Sequence, residues 1–79
     1  MSKTEWMKAE ISKEEIGKAI KNKREEFGWS QKQLAEYVGI TPAALSQFEK
    51  GLKCPSLQTI ATLALQLAVS VDWLIEMPN

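Results

Sequence analysis

The stretch from Gln31 to Lys50, read as Gln-Lys-Gln-Leu-Ala-Glu-Tyr-Val-Gly-Ile-Thr-Pro-Ala-Ala-Leu-Ser-Gln-Phe-Glu-Lys, sets the tightest limit on how this chain folds. Two short helical patterns abut there, with only Gly39-Ile40-Thr41 between them. So short a link cannot return for antiparallel packing, and the two helices are predicted to cross steeply. Leu34, Ala35 and Val38 make one face of the first helix, and Leu45 and Phe48, three apart, make the inner face of the second. Ile40 plugs the gap, and Ala35 is small where the helices approach closest. Gly39 supplies the positive φ that reverses the chain. Thr41 is a good N-cap, and Pro42 falls where a missing N–H does no harm. Gly51 ends the second helix. Caps, turn chemistry and apolar period agree, which makes the pattern specific.

Such a pair is a helix-turn-helix, whose second helix stands clear of the body and enters the major groove of DNA. Further residues carry a family likeness: Trp29-Ser-Gln-Lys-Gln-Leu-Ala35, Gly39-Ile-Thr41, Leu45-Ser-Gln-Phe-Glu-Lys-Gly51, Pro55-Ser-Leu57 and Val69-Ser-Val-Asp-Trp-Leu74. Over about residues 14 to 76 the chain resembles the Cro/CI (Xre-type) DNA-binding domains, with the last run especially like the lambdoid phage repressors. The resemblance implies an all-α, compact five-helix lambda-repressor-like fold, operator binding as a dimer, and control of transcription.

Composition bounds the reading. Seventy-nine residues make one domain with a small core. Residues 1–12 are read as an N-terminal segment and 13–79 as the DNA-binding domain. In that first segment Trp6, Met7 and Ile11 are apolar and Lys3 and Lys8 cationic; it is a frayed leader, a short docked helix or a basic arm on DNA. No apolar run reaches the ~20 residues of a membrane span, and no secretory signal opens the chain, so a cytoplasmic protein is expected. With Cys54 alone and no histidine, an internal disulfide, a zinc site and the commonest general base are all missing. No enzyme, cofactor or metal is expected, and the chain leaves no room for a sensing domain that would take a small-molecule ligand. Net charge is zero, unusual for a DNA-binding domain. Residues 1–53 hold all ten cations and eight of the ten acids, a net +2, while residues 54–79 hold only Asp72 and Glu76. Affinity is therefore expected to depend on dimerisation and to fall quickly with salt.

The remaining helices follow from caps and periodicity. Ser12, with Glu15 at the capping-box position, starts a helix over Lys13 to Phe27 whose stripe is Ile16, Ala19, Ile20 and Phe27. Gly28 ends it, and Ser30 caps the next, Gln31 to Val38. The helix from Pro42 runs to Lys50. Ser56 caps a helix over Leu57 to Leu67, whose core face is Leu57, Ile60, Ala61, Ala64, Leu67 and Ala68; Leu63 widens that face and Leu65 points elsewhere. Relatives usually have a polar residue at the Leu65 position and glycine at the Ala68 position. Alanine resists positive φ, which works against a left-handed cap there. Ser70 or Val71 opens a final helix, Asp72 to Met77.

On the exposed second helix of the pair the outward positions are Pro42, Ala43, Ser46, Gln47 and Lys50, with Thr41 at the tip. The resemblance implies that these six face base edges or adjacent phosphates. Gln47 carries the paired donor and acceptor that read adenine bidentately. Ser46 bonds either way, Pro42 and Ala43 pack on a thymine methyl, and Lys50 reaches guanine or a phosphate. Arg24, Gln31, Lys32 and Lys53 are the candidate phosphate contacts. Gln31 matches a phosphate-contacting glutamine of the family and opens a helix, where free N–H groups point outward. The resemblance also implies an ion pair of Arg24 with Glu49, the arginine leaning on a phosphate as well. Leu65, Trp73, Ile75 and Met77, or the Trp6 segment, are candidates for a homodimer interface; Trp73 and Ile75 otherwise close the core. The partner is then a double-stranded, pseudo-palindromic operator. The alternative is a protein-interaction module on the same scaffold, such as an anti-repressor or antitoxin-like domain, favoured by neutral charge and the plain Pro42-Ala43-Ala44 face.

Overall fold

The computed structural model describes residues 12–76. These form α1 (Lys13–Glu26), α2 (Gln31–Val38), α3 (Pro42–Glu49), α4 (Leu57–Gln66) and α5 (Val71–Glu76), with no strand among the described residues. The expectations placed on Lys3, Trp6, Met7, Lys8, Ile11 and Met77 lie outside them.

Every helix starts on a hydroxyl. The side-chain oxygens of Ser12, Ser30, Thr41, Ser56 and Ser70 accept the N–H groups of Glu15, Gln33, Ala44, Thr59 and Trp73. Each such cap is worth about 1 kcal/mol. The reciprocal capping box is formed at Ser30 and Gln33, not at Ser12 and Glu15 as the sequence suggested. At Ser12 the hydroxyl donates instead to Glu14 Oε1, 3.2 Å away.

The first four helices all end in the same way. Gly28, Gly39, Gly51 and Ala68 each donate to the carbonyl three residues back (Glu25, Glu36, Phe48, Leu65). The residues after them, Trp29, Ile40, Leu52 and Val69, each donate to the carbonyl five back (Arg24, Ala35, Gln47, Ala64). This double closure needs positive φ at the turning residue. Ala68 takes it, at φ 60°, as the one non-glycine residue to do so among those described. The left-handed cap thus forms in spite of alanine, because it satisfies two carbonyls and returns Val69 and Leu74 to the core. Left-handed φ costs a side-chain-bearing residue about 1–2 kcal/mol, and glycine's greater freedom when unfolded cancels part of any relief. Ala68→Gly is therefore expected to stabilise by about 0.5 kcal/mol and raise Tm by roughly 2–4 °C. A calorimetric Tm at or below the parent's would mean that this turn carries no strain.

One core unites the helices: Ile16, Ala19 and Ile20 from α1, Leu34 and Ala35 from α2, Leu45 from α3, Ile60, Leu63 and Ala64 from α4, then Leu67 and Leu74. Three expected members are exposed instead. Phe27 is exposed, since α1 ends at Glu26 and the ring swings onto Trp29, stacking at 4.5 Å. Leu57 and Ala68 are exposed because α4 meets the body only from Ile60 to Leu67. Leu63, assigned the margin of that face, is fully buried at its centre, and Ala61 is half-buried. Helices α3 and α4 end one residue before their expected limits, at Glu49 and Gln66, and α5 begins one residue early, at Val71.

Gly17 sets how closely α1 crosses the C-terminal end of α3. A Cβ there would overlap the Phe48 carbonyl oxygen and stand 3.0 Å from that of Glu49. Lys23 ties the same helix to α5, its Nζ 5.4 Å from the centre of the Trp73 ring. No described helix is long and apolar enough to cross a membrane.

Candidate nucleic-acid interface

The turn after α2 and the cap of α3 dictate what α3 shows. Thr41 is in extended conformation and fixes Ala44 N–H at 3.0 Å, so α3 starts abruptly and its first turn projects. Leu45 and Glu49 face inward and are buried, with Phe48 half-buried between α3 and the core. Thr41, Pro42, Ala43, Gln47 and Lys50 are exposed and Ser46 is half-buried. Five of the six residues singled out on α3 and its caps are therefore open to solvent. Lys32 is exposed on α2, and Lys53 is exposed in the bend after α3.

Behind that side lies a buried polar junction. Arg24 Nε donates to Glu49 Oε2 at 2.7 Å and Nη2 to Oε1 at 3.0 Å, while Nη1 donates to the Trp29 carbonyl at 2.8 Å. Gln31 Nε2 donates to the same Oε1 at 2.9 Å. The side chains of Arg24 and Glu49 are 11% and 3% exposed. A planar guanidinium matches a carboxylate with two parallel bonds, which lysine cannot do. The hydrogen bond to Glu49 raises Arg24 above its ordinary pKa, against burial, which lowers it. The pair's stabilisation is then complete below the ordinary arginine value and is lost only above the raised one, so neutral pH does not touch it on the arginine side. No buried side-chain nitrogen or oxygen lacks a partner among the described residues.

The Arg24–Glu49 pair stands as the family likeness implied. Its third donor, Gln31, was assigned a separate duty by the sequence and is brought into the same junction. Gly17 and the Trp29 carbonyl were not anticipated. The signal for Gly17 was present, as a glycine inside a helix commonly has a packing reason. On the flank, Phe27, Trp29 and Tyr37 form a ladder, Trp29 edge-on to Tyr37 at 5.1 Å. Of the dimer candidates, Leu65 is 83% exposed, whereas Trp73 and Ile75 are half-buried against the core.

These features define a helix-turn-helix domain whose second helix of the pair, α3, is locked to α1 and α2. A helix-turn-helix family model matches residues 20–74, and the chain belongs to this Cro/CI (Xre-type) family. It is 35% identical over 61 residues to the SPbeta prophage-derived uncharacterized HTH-type transcriptional regulator YonR of Bacillus subtilis, covering 77% of this chain and 56% of YonR. The structure of SinR, described as a master regulator for biofilm formation, in complex with DNA is 40% identical with a TM-score of 0.71. That likeness covers 75% of this chain and 95% of SinR's. The P22 c2 repressor, in complex with a synthetic operator, is 27% identical with a TM-score of 0.77, over 80% of this chain and 96% of the repressor's. The chain spans about half the length of the curated relatives it matches.

Proposed function

We propose that this chain is a transcriptional regulator, a repressor, that reads double-stranded DNA by placing α3 in the major groove. The observation that carries the reading is the division of α3. Thr41, Pro42, Ala43, Gln47 and Lys50 are exposed, while Leu45 and Glu49 anchor its inner side to α1 and α2. SinR and the P22 c2 repressor, both similar in fold, were solved on DNA. Gln47 reads a base pair, with Thr41, Pro42, Ala43, Ser46 and Lys50 around it; Gln31, Lys32 and Lys53 hold phosphates, and Arg24 serves the same edge. The site of action is the cytoplasm.

Selection of bound duplexes from a random pool tests this reading, and recovery of no enriched sequence would overturn it. Gln47→Ala is expected to weaken the selected site by about 1–3 kcal/mol and relax preference at one base pair per half-site. Equal loss on random DNA would remove Gln47 from base reading.

A single unit touches few base pairs, so a second copy binds a half-site about one turn away. Leu65 is the residue best placed to join the copies, with Trp73, Ile75 and Met77 as further candidates. Sedimentation on and off a selected duplex decides it; a strict one-to-one complex would refute the dimer. The interaction-module reading keeps one observation in its favour, the zero net charge, and gains if no duplex binds at either of two salt concentrations.

A further inference from the structure

We propose that the chain's own N-terminal segment, residues 1–11, docks on the bend between α3 and α4, with Trp6 covering Leu52. The inference goes beyond the DNA-binding reading and does not depend on it.

The bend is apolar where it meets water. Leu52 is 63% exposed and Leu57 is 74% exposed, and Cys54 between them is exposed as well. Pro55 is buried and holds the bend to the body. Lys53 is the only charged residue between Gly51 and Asp72, so an apolar side chain approaching here displaces little bound water from charges.

Helix α1 brings the segment to this place. A Cβ added at Gly51 would stand 3.0 Å from Glu14 Cα, so the first turn of α1 lies against the residue next to Leu52. Ser12 is extended, at φ −78° and ψ 117°, and the chain therefore leaves the axis of α1 there. Ile11 precedes this cap and the fully buried Ile16 stands four residues after it. That is the spacing of a hydrophobic staple, which fixes the angle at which a chain enters its helix. Trp6 lies six residues before Ser12. Six residues span at most about 20 Å, whereas Ser12 is two residues from Glu14 and Leu52 one from Gly51. The bend is within reach.

The size of the patch selects its occupant. A stable contact between two separate proteins buries about 800 Å² on each, more than two leucines present. A tethered segment meets its site at an effective concentration of about millimolar, so a small contact holds it. Trp6 is the largest apolar group of the segment, and a tryptophan buries about 150–250 Å².

A double-mutant cycle on the full chain, read by thermal unfolding, tests this. Trp6→Ser and Leu52→Ser are each expected to lower Tm by about 4–8 °C, where an uncovered surface leucine would move it by less than about 4 °C. The double variant is expected to melt within about 2 °C of the lower single variant, because both changes remove one contact. Trp6→Phe is expected to recover most of the loss. Leu65→Ser, on α4, is expected to add its full effect to that of Trp6→Ser. Additive shifts for Trp6 and Leu52, or a Leu52→Ser protein that melts with the parent, overturn the proposal. So does a coupling that vanishes on dilution, which would assign the covering tryptophan to a second copy. DNA is absent from every sample, so failure here leaves the DNA-binding reading as it stands.

Discussion

Gly17→Ala is expected to lower Tm by on the order of 10–20 °C. The added Cβ meets the backbone carbonyl of Phe48, which cannot rotate away as a side chain would. The helices must separate, and overpacking of this kind costs about 1–3 kcal/mol, occasionally more. Alanine's better helix propensity returns up to about 1 kcal/mol. The balance stays unfavourable because the displacement also pulls Arg24 from Glu49, one helix carrying each partner. A domain of this size holds only about 4–12 kcal/mol of stability, and each kcal/mol moves Tm by about 4–8 °C. Thermal unfolding followed by circular dichroism reads the outcome. A variant melting at or above the parent would show that α1 and α3 do not approach so closely.

Arg24→Ala is expected to cost about 3 kcal/mol and to weaken operator binding at the same time. It leaves the Glu49 carboxylate, 3% exposed, with Gln31 as its remaining side-chain donor, and it strips the Trp29 carbonyl of its partner. Removing one member of a buried pair costs about 3–5 kcal/mol, chiefly because the other charge is stranded. The apolar double replacement Arg24→Met/Glu49→Leu separates the two effects. Stability should largely return, since packed apolar groups often match a buried ion pair, while operator affinity stays low because α3 and Gln31 have lost their common anchor. Urea denaturation and a mobility shift on the same preparations measure both. Unchanged unfolding together with unchanged affinity for Arg24→Ala would defeat the argument.

What the sequence made legible was local or carried by family likeness. Ser30, Thr41 and Ser56 announce helix starts within three residues, and Gly28, Gly39 and Gly51 announce ends, because the bonds involved span a single turn. The exposed side of α3 followed from Leu45 and Phe48 three apart. The Arg24–Glu49 fork, spanning 25 positions, came only from resemblance to a family. What stayed hidden depends on contact between distant parts. The period of α4 admitted Leu57 to the core, but periodicity does not say where along a helix the body begins. Gly17 has no visible role in the pattern of α1 until α3 is placed across it. Ala68 reads as a poor cap until the carbonyls it satisfies and the apolar residues beyond it are counted against its strain.

The junction at Glu49 also bears on how the domain opens. Because one carboxylate serves α1 and α2 at once, α1 cannot detach from α3 without abandoning the charge of Glu49 in the interior, and α2 cannot without losing the Gln31 bond to the same group. Amide protons on these three segments should then exchange with deuterium at a shared free energy, through whole-domain opening rather than piecemeal fraying. On the proposed reading, α3 then reaches DNA already rigid, with little ordering entropy left to lose on contact.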